Sequence, residues 1–163
     1  MPNGIYLLLG TNLGDRLTNL TAVRSQISEL AGRIINESVI YETEPWGISD
    51  QPNYLNQVIQ IDSDHTAEEL LGILQKIETQ LGRFRNQKWT SRIIDIDILF
   101  YQQEIIKTNQ LTVPHPYLHK RRFTLIPLAE IAPDFVHPVL KKPISELLAL
   151  CPDTLMVSPY KGK

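Results

Sequence analysis

Apolar residues recur along this chain with two different periods, and the switches between them lay out the elements. Ile5 to Leu9 is an unbroken apolar run closed by Gly10, which predicts a short strand. Leu13, Leu17, Leu20, Ile27 and Leu30 then recur at spacings of three, four or seven, the period of one helix face, and Gly32 marks the stop. Ile34 to Thr43 alternates loosely and predicts a second strand; Tyr54 to Ile61 predicts a third. Between them, the prolines and glycine of residues 44–52 read as a loop. Thr66 and Glu69 have the spacing of a capping box, opening a helix with Leu70, Leu71, Leu74, Ile77 and Leu81 on its face and Gly82 at its end. RIIDIDILFY, Arg92 to Tyr101, is β-branched and aromatic and predicts a fourth strand. The proline-rich last third predicts one helix near Leu125 to Ile131.

The resulting order is β-α-β-β-α-β with a C-terminal extension. That is the split βαβ, ferredoxin-like arrangement, an α+β sheet with helices on one face. No repeat, low-complexity tract or linker interrupts it, so one domain over residues 1–163 is expected.

Composition narrows the class. A chain of 163 residues that is 42% hydrophobic can close one full core. A net charge of −2 provides no overall field to recruit nucleic acid or an anionic membrane. Cys151 is the sole cysteine, which excludes an intrachain disulfide and a multi-cysteine zinc site. The apolar runs are too short to span a membrane, and no charged-then-apolar segment opens the chain. A soluble, cytoplasmic protein is the expectation.

Candidate chemistry begins with the two carboxylates inside that fourth strand. Side chains alternate faces, so Ile94, Ile96, Ile98 and Phe100 should share one face while Asp95 and Asp97 share the other, roughly 7 Å apart. Like charges held that close repel, and burial penalises each anion further. Either the pair faces solvent or a cation sits between them. Just upstream, Arg83, Arg85, Lys88 and Arg92 cluster around Trp89 with no acid among them. Arginine forks beside a carboxylate pair suit a polyphosphate carrying Mg²⁺, which takes one or two carboxylates plus phosphate oxygens. A solvated basic loop paired with the aspartates is the alternative.

Three other stretches bear on this. GTNLGDR, Gly10 to Arg16, sits between strand and helix but lacks the lysine ending of a P-loop; a tight turn with Asp15 at the helix N-terminus is the better reading. LTVPHPYLHKRRF, Leu111 to Phe123, packs two histidines, three cations and Phe123 into thirteen residues, which suits a phosphate site. YETEPWGISDQPNYLNQ, Tyr41 to Gln57, places Trp46, Tyr54 and Asn56 near strand ends, where rings and an amide could hold a flat heterocycle or simply pack under a loop.

Together these stretches resemble the 6-hydroxymethyl-7,8-dihydropterin pyrophosphokinases. The resemblance runs through GTNLGDR, YETEPWG, DQPNYLN, GRFR, RIIDIDIL, LTVPHP and RRFTLIPLAEIAPD, in order. It implies a ferredoxin-like fold and transfer of pyrophosphate from ATP to the pterin hydroxymethyl group, with AMP as the other product. It further implies that Asp95 and Asp97 bind two Mg²⁺ and that Arg83 and Arg92 stabilise the transferring group. By the same resemblance, Arg83, Arg85, Lys88, Trp89 and Arg92 from the basic segment line the ATP site. Glu78, Ile98, Thr112, His115 and Arg121 line it too. Thr43, Pro45, Trp46, Tyr54, Asn56 and Phe123 form the pterin pocket, with Tyr54 and Phe123 sandwiching the ring and Asn56 reading its edge. The chain departs from the common pattern at Lys88, at Thr90–Ser91 and at Gln110, positions that bear on ATP affinity and loop closure.

Two other classes fit parts of the pattern. An RNA-binding module would explain the basic loop, but the aromatic strand signature of such modules is missing and the aspartates would repel a phosphate backbone. A regulatory pterin-binding domain would leave two aspartates beside four cations without purpose. A monomer acting on two small molecules, with no nucleic-acid or membrane partner, is the expectation that remains.

Overall fold

The computed structural model describes residues 4–44, 53–82 and 94–161. The predicted 44–52 loop apart from Glu44, and the basic segment with Arg83, Arg85, Lys88, Trp89 and Arg92, lie outside the described residues, as do Pro45 and Trp46. Within them, β1 (Ile5–Thr11) is the axis of an antiparallel sheet. It pairs with β4 (Tyr54–Asp62) on one side and β5 (Asp95–Tyr101) on the other. The far edge of β4 is shared by β2 (Arg33–Glu37) and β3 (Tyr41–Thr43). β8 (Val157–Pro159) then adds to β3, giving the order β5-β1-β4-β3-β8. A separate two-stranded ribbon joins β6 (Ile106–Lys107) to β7 (Thr112–Val113).

Ile34 to Thr43, expected as one strand, is therefore two. The break at residues 38–40 has a cause outside the local pattern. Ser38 turns its hydroxyl onto the Val58 N–H and the Val39 carbonyl, and Glu130 takes the Val39 N–H. Helix α1 (Arg16–Leu30) starts later than Leu13 because Asp15 is its N-cap, accepting from the Thr18 N–H at 3.1 Å. Gly14 at φ +66° makes the preceding turn, a conformation glycine adopts without strain. The buried stripe of α1 is Leu20, Val23 and Ile27; Leu17 and Leu30, on its terminal turns, are exposed. The capping box opens α2 (Ala67–Gly82) as expected: Thr66 N–H donates to Glu69 and Glu69 N–H to Thr66 Oγ1.

Both faces of the sheet are covered. On one, α1 and α2 pack over Ile5, Leu7, Leu9, Leu55, Ile59, Ile61, Ile96 and Ile98. On the other, the C-terminal extension supplies α3 (Arg122–Ile131) and α4 (Ile144–Leu150), packed over Tyr6, Leu8, Val58 and Phe100. Phe100 was expected beside Ile98, and the structure corrects this. The register passes from Leu7 opposite Ile98 to Tyr6 opposite Phe100, so Leu99 is an extra residue in β5. Such a bulge shifts the alternation by one and turns Phe100 to the second face.

Candidate active site

The second face is aliphatic and aromatic at one end of the sheet and polar at the other. Register sets the polar end: Gly10 lies opposite both Asn56 and Asp95, and Leu8 opposite both Val58 and Asp97. Two inter-strand spacings of about 4.8 Å place Asp95 and Asn56 roughly 10 Å apart, with only the glycine between them. A Cβ on Gly10 would lie 2.8 Å from Asn56 Oδ1, so the missing side chain is what lets the amide lean across β1.

An open pocket of about 190 Å³ sits over this row. Its floor is Leu8, Gly10, Asn56 and the two aspartates. Thr43, Glu44 and Tyr54 form one wall, and Arg121 and Phe123, at the start of α3, form the opposite one. Asn56 is buried, and its Nδ2 donates to Thr43 Oγ1 at 2.8 Å, which fixes the amide's orientation. Arg16 braces the same wall from the start of α1. Its Nη1 donates to Glu42 Oε2 at 3.1 Å and to the Asn53 carbonyl at 2.9 Å. Residues 12–15 of the GTNLGDR stretch thus form a turn with Asp15 at the helix N-terminus, as expected, while its first residue, Gly10, belongs to β1 and the pocket floor, and its last, Arg16, ties β3 to the start of β4.

Electrostatics follow the same division. Burial pushes the Tyr54 hydroxyl above its ordinary value, and the Asp95 charge adds to that. Burial pulls the Arg121 guanidinium below its ordinary value, with the Asp97 charge opposing. Arg121 lies over two rings, 5.3 Å from the centre of Tyr117 and 5.6 Å from that of Phe123. His115 is held down to about 4, first by burial and then by Arg121. Its Nδ1 accepts the Tyr117 N–H at 3.2 Å, which leaves the ring proton on Nε2 of a neutral imidazole.

Of the predicted residues, the pocket brings together Asp95, Asp97, Thr43, Tyr54, Asn56, Phe123 and Arg121. Glu78, Thr112, His115 and Ile98 do not line it. Two of them hold the outer edge of β5: Glu78 Oε2 accepts the Ile96 N–H at 2.8 Å, and the His115 N–H donates to the Leu99 carbonyl at 3.0 Å. Thr112 lies in β7, which packs against β5. The Ile98 side chain is buried with the aliphatic face, so only its backbone faces that edge. Leu8, Gly10 and Glu44 line the pocket without having been predicted. Gly10 had a signal, an abrupt end to an apolar run, but only the strand register turns it into a site residue.

The model of the 7,8-dihydro-6-hydroxymethylpterin-pyrophosphokinase family matches residues 6–133. The chain belongs to that family. Among curated relatives, the 2-amino-4-hydroxy-6-hydroxymethyldihydropteridine pyrophosphokinase of Aquifex aeolicus is 42% identical over 142 residues, 87% of this chain and 88% of that one. The Bacillus subtilis protein of the same name is 43% identical over 132 residues, 80% and 79% of the two chains. Among solved structures, a Plasmodium falciparum HPPK-DHPS triple mutant superposes with a TM-score of 0.74 at 19% identity. It covers 92% of this chain, whereas this chain spans 44% of that fused protein. The pyrophosphokinase match ends just past α3, at residue 133, so α4 and β8 lie outside the matched residues.

Proposed function

We infer that this chain transfers pyrophosphate from ATP to the hydroxymethyl group of 6-hydroxymethyl-7,8-dihydropterin, giving the pterin diphosphate and AMP. Membership of the pyrophosphokinase family supports the reaction. The observation that carries the site is the row Asp95–Gly10–Asn56, with Asp97 two residues along β5, which together put a carboxylate pair and an amide on one pocket floor.

On this reading the ring enters between Tyr54 and Phe123, and Asn56 hydrogen-bonds its edge. Asp95 and Asp97 would hold two Mg²⁺. The donor set fits that ion, because two carboxylates without thiol or imidazole suit a hard cation that keeps phosphate oxygens as its other ligands. When bound, the ions neutralise charge along the triphosphate. Arg121 lines the same pocket, within reach of the Asp97 charge, and adds a cation to the phosphate side. The resemblance gives Arg83 and Arg92 the stabilisation of the transferring group, and Arg85, Lys88 and Trp89 a place along ATP. Pro45 and Trp46 complete the pterin side. Glu78, Ile98, Thr112 and His115 serve the nucleotide along the outer edge of β5.

The hydroxymethyl oxygen attacks the β-phosphorus in line, its proton leaves to solvent, and the bond to the α–β bridging oxygen breaks to release AMP. Little covalent work falls to the protein in such a transfer. Holding the two reactants near attack is worth roughly 7–11 kcal/mol of the barrier. Fixed charge over the transferring oxygens supplies more. ATP as co-substrate supports a cytoplasmic setting. Incubation with ATP, Mg²⁺ and the pterin should release AMP, read by ion-exchange chromatography; stoichiometric ADP without AMP would overturn the assignment.

A further inference from the structure

The wall of the pocket that carries Phe123 is held from outside its own helix. The first N–H groups of a helix have no intrahelical acceptor and are usually satisfied by the side chain of the N-cap residue. In α3 that residue is Arg121, which makes no side-chain cap. The Arg122 N–H donates instead to Asp153 Oδ2 at 3.0 Å, a carboxylate that arrives from beyond α4. The other oxygen, Oδ1, accepts the Leu155 N–H at 3.0 Å, so the carboxylate is fixed at both ends. Arg122 Nε closes the ring by donating to the Leu155 carbonyl at 3.3 Å. An anion at a helix N-terminus is also favoured by the helix dipole.

The position of this clasp gives it a consequence. The residues either side of Arg122 are Arg121 and Phe123, both of which line the pocket. From Leu155 the chain runs into β8, where Val157 pairs with Thr43 on the opposite wall. Asp153 lies beyond residues 6–133, the part of the chain that the family model matches.

We propose that Asp153 is a positioning residue for the pterin side of the pocket. It caps α3 from the C-terminal segment and thereby fixes Phe123 at the angle that stacks on the ring. This rests on the reading above, that the pocket takes a pterin.

The test compares five proteins: wild type, Asp153→Ala, Phe123→Ala, the double variant, and Asp153→Asn as the conservative control. AMP formation gives KM for the pterin and for ATP, and thermal denaturation gives Tm. Asp153→Ala should raise the pterin KM about five-fold, the scale of a lost cap, with the ATP KM moving less than about two-fold. Asp153→Asn keeps one acceptor oxygen and should fall between. Because the carboxylate acts through Phe123, its removal should add nothing further to the pterin KM of Phe123→Ala. A lowered Tm with an unchanged pterin KM would make the clasp merely structural and overturn the proposal. Multiplying effects in the double variant would overturn it too. If Asp153→Ala does not fold, Asp153→Asn decides by the same two criteria. A wild-type protein that makes no AMP sinks the pocket assignment itself, an outcome distinct from active wild type with silent Asp153 variants.

Discussion

The two faces of this sheet are built from the same strands and behave as different materials. The face under α1 and α2 is closed: Leu7, Leu9, Ile59, Ile96 and Ile98 are buried with aliphatic neighbours on every side. The face under α3 and α4 starts in the same way, with Tyr6, Val58 and Phe100, then opens into glycine, an amide and two carboxylates. Adjacent residues of β1 and β5 thus answer to different demands, one to dry packing and the next to an open polar pocket. The comparison shows why acids can sit in an apolar strand without weakening it. At the pocket end of the sheet, every second position is exempt from dry packing.

Substitutions on each face should therefore fail in different ways. Asp97→Ala, and Asp95→Ala nearly as strongly, should lower turnover at least a hundred-fold, the scale of losing a major electrostatic stabiliser. Circular dichroism and Tm should stay close to wild type. An alanine variant with wild-type turnover at limiting Mg²⁺ would break the metal assignment. On the closed face, Leu7→Ala should cost about 3 kcal/mol by removing a fully buried side chain, read by urea denaturation. The KM values of the protein that remains folded should not move; a change in them would mean that the two faces are not independent.

The smallest effect sharpens the boundary between the faces. Gly10→Ala puts a methyl 2.8 Å from Asn56 Oδ1 and forces the amide away from Thr43 Oγ1. Pterin affinity should fall roughly ten-fold, in line with a disturbed buried hydrogen bond, and ATP affinity should hold. Calorimetry with each ligand measures both. Equal losses would show that Gly10 supports the sheet and does not make room for the amide.

Much of this was legible in the order of residues. β1, β4, β5 and α2 follow from apolar period and one capping box, because their partners are long runs whose pattern survives any small shift. The aspartate pair could be read as a shared face for the same reason, and the structure keeps that face intact. What was not legible depends on partners far along the chain. The break after Glu37 is made by Val58 and Glu130. β8 is three residues long and exists because β3 offers an edge. Helix α3 begins three residues before the expected Leu125, where Asp153 supplies the missing acceptor. Gly10 is a site residue only through its two cross-strand neighbours.

The extra residue at Leu99 resets the phase of β5 partway along its length. Upstream of it, even positions are dry and odd ones wet; downstream, Phe100 and Tyr101 have exchanged sides. A strand of strict alternation would have to compromise between a ligand at one end and two sets of helices at the other. With the slip, the acidic half and the aromatic half are separate instruments tuned on one string. Deleting Leu99 would leave Ile98 and Phe100 consecutive and still opposite Leu7 and Tyr6, so the ring would stay beneath the helices of the extension and only the Leu99 side chain would be lost from under them.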